Sequence, residues 1–463
     1  MNPGRLLSLA LCLAAACARG EAPPVVEAAS LAELARLAAG DEQRIRLQPG
    51  VHRLADYLTD EVLATIREGI DRSQPRPTVP MFVFAGHGNQ FDFADTVLEI
   101  DTSLYAKLPG GGYVRCLFIA GDNNTFRDLT VRNTGPNQGS NGNILAIFGA
   151  GNTIEDATLQ VHGSSPYGYG DLLGKGGPNL VHLRKQSGIQ IMGSRTTLRR
   201  CQVISRAFGH CFYIQGGDDI RLEDCRAEGV MRSTSAMLRD REGAAAEVGF
   251  ASINQNRDGR HLITAGYMKS LIEDGFRTYS GAGRVTLLNC TAINTRSGFE
   301  IGLPDDSPHQ TVIENATALG CERGYMIGSH VVIRHSRGDL AYGPLLHLRG
   351  GRDSDIELEL VGTGSEYMVH YFATLAGTGH RVRFSAGEPA PDVPAVPIML
   401  GFGQPPAGEM ASPVRPAPAH GITLASEVPR IPVIVGEEAS ETTVKAAGPT
   451  LGDADSRQLP RDR

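Results

Sequence analysis

Apolar and polar positions along the middle of the chain fall into one short pattern that recurs. The segments NNTFRDLTV (123–131), NTIEDATLQ (152–160), TTLRRCQVI (196–204), IRLEDCRAE (220–228), VTLLNCTAI (285–293) and TVIENATAL (311–319) superpose without gaps. Each has an apolar residue (Phe126, Ile154, Leu198, Leu222, Leu287, Ile313). Three positions later comes a small or apolar one (Leu129, Ala157, Cys201, Cys225, Cys290, Ala316), usually preceded by Asp or Asn. A second short strand follows in several copies: GIQI (188–191), CFYI (211–214), GFRT (275–278), GFEI (298–301) and GYMI (324–327). Period-2 alternation turns Ile189, Phe212, Phe276, Phe299 and Tyr325 inward. It turns Gln190, Tyr213, Arg277, Glu300 and Met326 outward as one column, with Ser187, His210, Asp274, Ser297 and Arg323 just before the strand.

Successive copies are 28, 44, 24, 65 and 26 residues apart. A coil with rungs of roughly 20–25 residues accounts for these steps if two of them span two rungs each. The pattern therefore predicts an all-β chain, a single-stranded right-handed parallel β-helix (a solenoid). Residues 61–385 form its body, and loop insertions at 162–186 and 229–272 interrupt it at the same corner. Residues 25–60 supply the N-terminal cap and first strands. There Leu31–Ala39 has helical spacing with Ser30 as N-cap, a helix placed to plug the open end. A Pro-rich C-terminal extension is expected over 386–436 and a disordered tail over 437–463.

The first 18 residues read as an export signal: Arg5, a short apolar run from Leu6 to Ala16, then small residues. Leu13-Ala14-Ala15-Ala16-Cys17 also reads as a lipoprotein signal with Cys17 as the lipidated residue. The expected localisation is export, to the periplasm or the medium, with an outer-membrane lipoprotein as the alternative. Membrane contact is then confined to that lipid anchor. The formal charge of −7 and the absence of a basic block give no sign of nucleic acid as a partner. No Cys/His metal spacing occurs. The column Cys201, Cys225 and Cys290 reads as small core residues.

This arrangement resembles the pectate-lyase-like superfamily of right-handed parallel β-helices over residues 40–385. The stretch from SPYGYGD to EDGFRTY is similar to a set of bacterial β-helix proteins. The resemblance implies a polysaccharide partner, often acidic. Subfamily motifs do not carry over. Gly209-His210-Cys211 precedes Asp218-Asp219, the reverse of the polygalacturonase order, and PDDSPH (304–309) departs from the mannuronan epimerase motif. Calcium is an option in that superfamily, but the sequence has no acidic ligand cluster for it. No cofactor is expected.

Two long insertions on one edge of a rod predict a groove. Its expected catalytic residues are His210, Tyr213, Arg277, Asp274, Lys175 and Arg232. The expected substrate-binding residues are Tyr167, Tyr169, Asp171, His182, Lys185, Gln190, Glu273, Tyr279 and Glu300. The leading expectation is a polysaccharide lyase. β-Elimination from a uronate needs a cation against the carboxylate (Arg277 or Arg232), a base for the C5 proton (His210, Lys175 or a Tyr) and an acid for the leaving oxygen (Tyr213 or another Tyr). The alternatives are a glycoside hydrolase with paired carboxylates and a carbohydrate-binding β-helix without catalysis.

Overall fold

The computed structural model describes residues 23–452, apart from 137–139, 363, 389–390 and 404–413. Both readings of the export segment, including Cys17, lie outside the described residues. Within them the chain is a right-handed parallel β-helix, as the repeat predicts. Three columns of short strands run the length of the rod. The first holds Thr125–Arg127, Thr153–Glu155, Thr197–Arg199, Ile220–Glu223, Val285–Leu288 and Thr311–Glu314, paired in parallel from rung to rung. The second follows at once, through Thr158–Val161, Gln202–Ser205, Arg226–Glu228 and Thr291–Ile293. The third runs from Thr78–Phe84 through Gln186–Ile191, Phe212–Ile214, Asp274–Thr278, Ser297–Ile301 and Arg323–Ile327 to Thr450–Gly452.

The Asp or Asn of the repeat makes the corner between the first two columns. Asp128, Asp156, Asp224, Asn289 and Asn315 all have φ between 53° and 59°. Asp and Asn tolerate this left-handed conformation better than other side chains with a Cβ. Arg200 occupies the same corner at φ 52° and is tied to Asp156 at 2.7 Å. Glycines recur in the third column for a steric reason. A Cβ on Gly188, Gly298 or Gly324 would lie 2.4–2.8 Å from a carbonyl oxygen of the next rung.

Inside the coil, Phe212, Phe276, Phe299 and Tyr325 stack with centroids 4.9–5.1 Å apart and planes within 10° of parallel. Such pairs contribute about 0.5–1.5 kcal/mol each beyond the area they bury. Cys201, Cys225 and Cys290 form a second buried column and are free thiols. The N-terminal helix Leu31–Leu37 is capped by the Ser30 side chain, which accepts from the Glu33 amide, and it buries Leu31, Leu34 and Leu37 on the core.

The C-terminal expectation is corrected. Strands Ile398–Leu400, Val433–Val435 and Thr450–Gly452 continue the third column, and Thr423–Ser426 pairs with Thr443–Ala446. The coil therefore runs well past 385, and residues 437–452 are part of it. Pro397, Pro432 and Pro449 sit immediately before or within one residue of these strands. Their carbonyls accept ladder bonds at 2.8 Å, while their missing N–H is not needed there.

Candidate functional site

The site lies where the rung of Phe212–Ile214 passes beneath both insertions. Gly209 must be a glycine here, because a Cβ would lie 2.3 Å from the Gln186 carbonyl oxygen. That close approach carries the backbone directly into His210. The next strand, Asp274–Thr278, begins one rung further on, and register sets Tyr213 beside Arg277 and Arg277 beside Glu300.

His210 is the hub. Its Nε2 is 2.8 Å from the Tyr279 hydroxyl and 3.4 Å from Glu273 Oε2. Its Nδ1 stands 3.1 Å from Asp274 Oδ2. Tyr213 packs against the imidazole at 5.4 Å between centroids. Arg277 donates to Asp274 at 2.8 Å, reaches Glu300 at 3.1 Å and lies 4.5 Å over the Tyr279 ring. Lys185 donates to both oxygens of Glu273 at 2.7 and 2.8 Å. Of the predicted residues, His210, Tyr213, Arg277, Asp274, Lys185, Glu273, Tyr279 and Glu300 thus form one cluster. Gln190 extends it, bonded to Arg115, Asn143 and Gln215.

The other predicted residues are placed elsewhere. The two insertions do not stand apart as walls. Tyr169, Leu172 and Leu173 of the first pack with Met237, Ala245, Ile263 and Leu271 of the second into a small core of their own. Tyr169 donates to Asp240 at 2.8 Å, and Arg232 pairs with the same carboxylate at 2.6 Å. Asp171 is 1% exposed, 2.5 Å from Lys269 and 3.1 Å from Arg296. Tyr167, Lys175 and His182 are exposed on the first insertion. The open groove expected from sequence is therefore corrected: the insertions close over much of the outward column. Tyr213, Gln190 and Glu300 are only 3–4% exposed.

Arg296 was not marked by the repeat, yet it joins the parts. It bonds Asp274 at 3.2 Å and Asp171 at 3.1 Å, and lies 3.6 Å from Glu273. The only sequence signal for it is its place one residue before a third-column strand.

Charge in the cluster is ordered by depth. The carboxylates of Glu273, Asp274 and Glu300 are 4%, 0% and 5% exposed, whereas Lys185, Arg277 and Arg349 are 22%, 21% and 39% exposed. The molecule presents cations to solvent here and keeps the anions beneath. Burial opposes ionisation of Glu273, but His210, Lys185 and Arg296 outweigh it and bring its carboxyl down to about 2. Asp274 is also buried, and Arg296, His210 and Arg277 hold it well below the usual range. Tyr279 is pushed upward, by burial first, so its phenol keeps its proton. Glu322 is the nearby acid shifted upward, by burial, but it is fully enclosed and bonded to Lys269 at 2.8 Å. Among the described residues no group of three or more His, Cys, Asp or Glu side chains is arranged to hold a metal ion.

No family model and no curated protein matches the chain. Solved structures give distant likenesses in trace. The Dettilon tailspike protein has a TM-score of 0.40 at 13% identity, over 93% of this chain and 68% of that one. A PL6 alginate lyase in complex with a trisaccharide has a TM-score of 0.39 at 9% identity, over 94% and 87%. The Streptococcus pneumoniae surface adhesin PfbA has 0.25 at 9%, over 86% and 91%. None of these likenesses assigns a reaction. No helix among the described residues is long and apolar enough to cross a membrane.

Proposed function

We propose that this is an exported polysaccharide lyase acting by β-elimination on a uronate-containing polymer. The observation that carries the reading is the protonation pattern around His210. The cluster offers an imidazole and two protonated phenols, while the carboxyls of Glu273 and Asp274 are held ionised by cations and Glu300 is paired with Arg277 and Arg349. Hydrolysis by paired carboxylates requires one of them to keep its proton as general acid. Glu273 and Asp274 do not meet that requirement, and Glu322 is out of a substrate's reach. Elimination requires what is present.

In this reading the neutral imidazole of His210 takes the C5 proton of the uronate at Nε2, with Lys185 and Arg296 as the cations that remain beside Glu273. The C4–O bond breaks as the C4=C5 double bond forms, and the Tyr279 phenol gives its proton to the departing oxygen. The proton on His210 then passes to the Tyr279 oxygen along their 2.8 Å contact, restoring both groups. Asp274 behind Nδ1 stabilises the imidazolium formed on the way. Arg277 and Lys185, at the solvent side of the cluster, draw the polyanion in and oppose its carboxylate charge. Tyr213 stands against the imidazole as a further hydroxyl for the sugar.

The test is incubation with a panel of uronate-containing and neutral polysaccharides, following ultraviolet absorbance of the unsaturated product and the appearance of reducing ends. Both signals together support elimination. Reducing ends alone would mean hydrolysis, and neither signal on any polymer would favour a binding protein.

A further inference from the structure

Arg115 lies in the third column two rungs before Ser187, aligned with Asn143 and Ser187. It is 8% exposed. Its guanidinium nonetheless has no carboxylate partner among the described residues. Nε donates to Gln190 at 3.1 Å and Nη1 to Thr78 at 2.6 Å, both neutral. The rings of Phe148 and Tyr113 flank it at 4.8 and 5.4 Å. Four cations of the cluster have carboxylates: Lys185 has Glu273, Arg277 has Asp274, Arg296 has Asp171 and Asp274, and Arg349 has Glu300. A largely buried cation without a counter-charge is costly, and proteins keep such groups paired. The missing anion is thus a property of this position.

The surroundings fit an acidic sugar. Gln190 Oε1, which holds Arg115, also accepts from Asn143 at 2.9 Å, and Asn143 donates to the Tyr213 hydroxyl at 2.8 Å. That chain connects the guanidinium to the phenol packed on His210. The amide oxygen of Asn143, Oδ1, is buried without a hydrogen-bond partner. Phe118, Phe148 and Tyr113 are half-buried, so they offer ring faces to the C–H side of a sugar beside the cation. We propose that Arg115 is the anchor of a uronate carboxylate subsite on the N-terminal side of His210, where Asn143 Oδ1 is left to accept from a sugar hydroxyl. It is a binding residue, whose counter-ion is supplied by the substrate. The inference rests on the lyase reading for the chemistry of its ligand.

The experiment uses the full chain and its Arg115→Gln variant. Binding of defined uronate oligosaccharides (mannuronate, guluronate, galacturonate and glucuronate types) is compared with that of their carboxyl-reduced counterparts by calorimetry. Melting temperatures are recorded for both proteins without sugar. The wild type is expected to bind at least one acidic oligosaccharide and to lose tenfold or more in affinity when its carboxyls are reduced. Arg115→Gln is expected to lose a similar factor for the acidic form and little for the reduced form. Its melting temperature should fall by only a few degrees, because the neutral bonds to Gln190 and Thr78 are lost but no ion pair is broken. Unchanged affinity in the variant, a lowered melting temperature with unchanged affinity, or no acidic oligosaccharide bound by the wild type would overturn the subsite. Arg115-dependent binding without any elimination would keep the subsite and remove the lyase reading. Elimination with an unaltered KM in Arg115→Gln would do the reverse.

Discussion

Single side chains in the outward column carry opposite obligations. His347 follows Met326 in that column and bonds Thr374 at 2.6 Å. It is 2% exposed, and burial, with Arg323 adding to it, holds its imidazole neutral down to about 3. The unfolded chain binds that proton near the ordinary value of 6.5. Between 6.5 and 3 the unfolded state therefore holds more protons, and the fold loses stability as pH falls, by roughly 1.4 kcal/mol per unit. His347→Gln should flatten the melting temperature against pH across that window. A slope equal to the wild type's would place the titration elsewhere. Glu273 acts in a lower window, giving stability that is present above 4.5 and lost as pH falls toward about 2. For turnover, Tyr279→Phe removes the proposed acid and leaves the ring. It should lower kcat by about 10²-fold or more at unchanged melting temperature, read by the initial rate of unsaturated product. At this scale the sequence was only partly legible. His210, Tyr213 and Arg277 stood out because they repeat in register. Arg115 and Arg296 did not, because what distinguishes them is a missing or a shared partner from distant rungs.

The elements show why the groove differs from its expectation. The corner residues Asp128, Asp156, Asp224, Asn289 and Asn315 were legible as a motif because each rung needs one left-handed residue. The insertions carry no such repeat, so their mutual packing through Tyr169, Leu172, Met237 and Ile263 could not be read. They are pinned to the rod by charge. Lys269 is 1% exposed and pairs with Asp171 at 2.5 Å and Glu322 at 2.8 Å. Lys269→Met would leave two buried carboxylates short of their cation, and should cost about 3–5 kcal/mol in urea unfolding. Phe276→Ala, which opens the middle of the aromatic stack, should cost about 3–5 kcal/mol by the different route of a cavity. If Lys269→Met left stability unchanged, the insertions would be held by their apolar core alone.

Across the whole molecule the rod is one core. A single apolar cluster extends from Ala28 through the Phe stack to Val433, with the N-terminal helix over one end. The chain as a whole is negative, at −7, yet the surface over His210 presents Lys185, Arg277 and Arg349. This local reversal of sign fits a polyanion laid against the rod. It was invisible in composition, because the compensating carboxylates are equally near in sequence and differ only in depth. The proposed reaction of the cluster is elimination rather than hydrolysis. The most direct measurement is the mass of the oligosaccharides released from a cleaved uronate polymer by the wild type and by His210→Ala. The fragment on the reducing side of each cleaved bond is expected to carry an unsaturated sugar at its new non-reducing end, one water lighter than a hydrolysis product, and His210→Ala is expected to release none. Saturated sugars at the new non-reducing ends, or unsaturated ones released undiminished by His210→Ala, would contradict this reading.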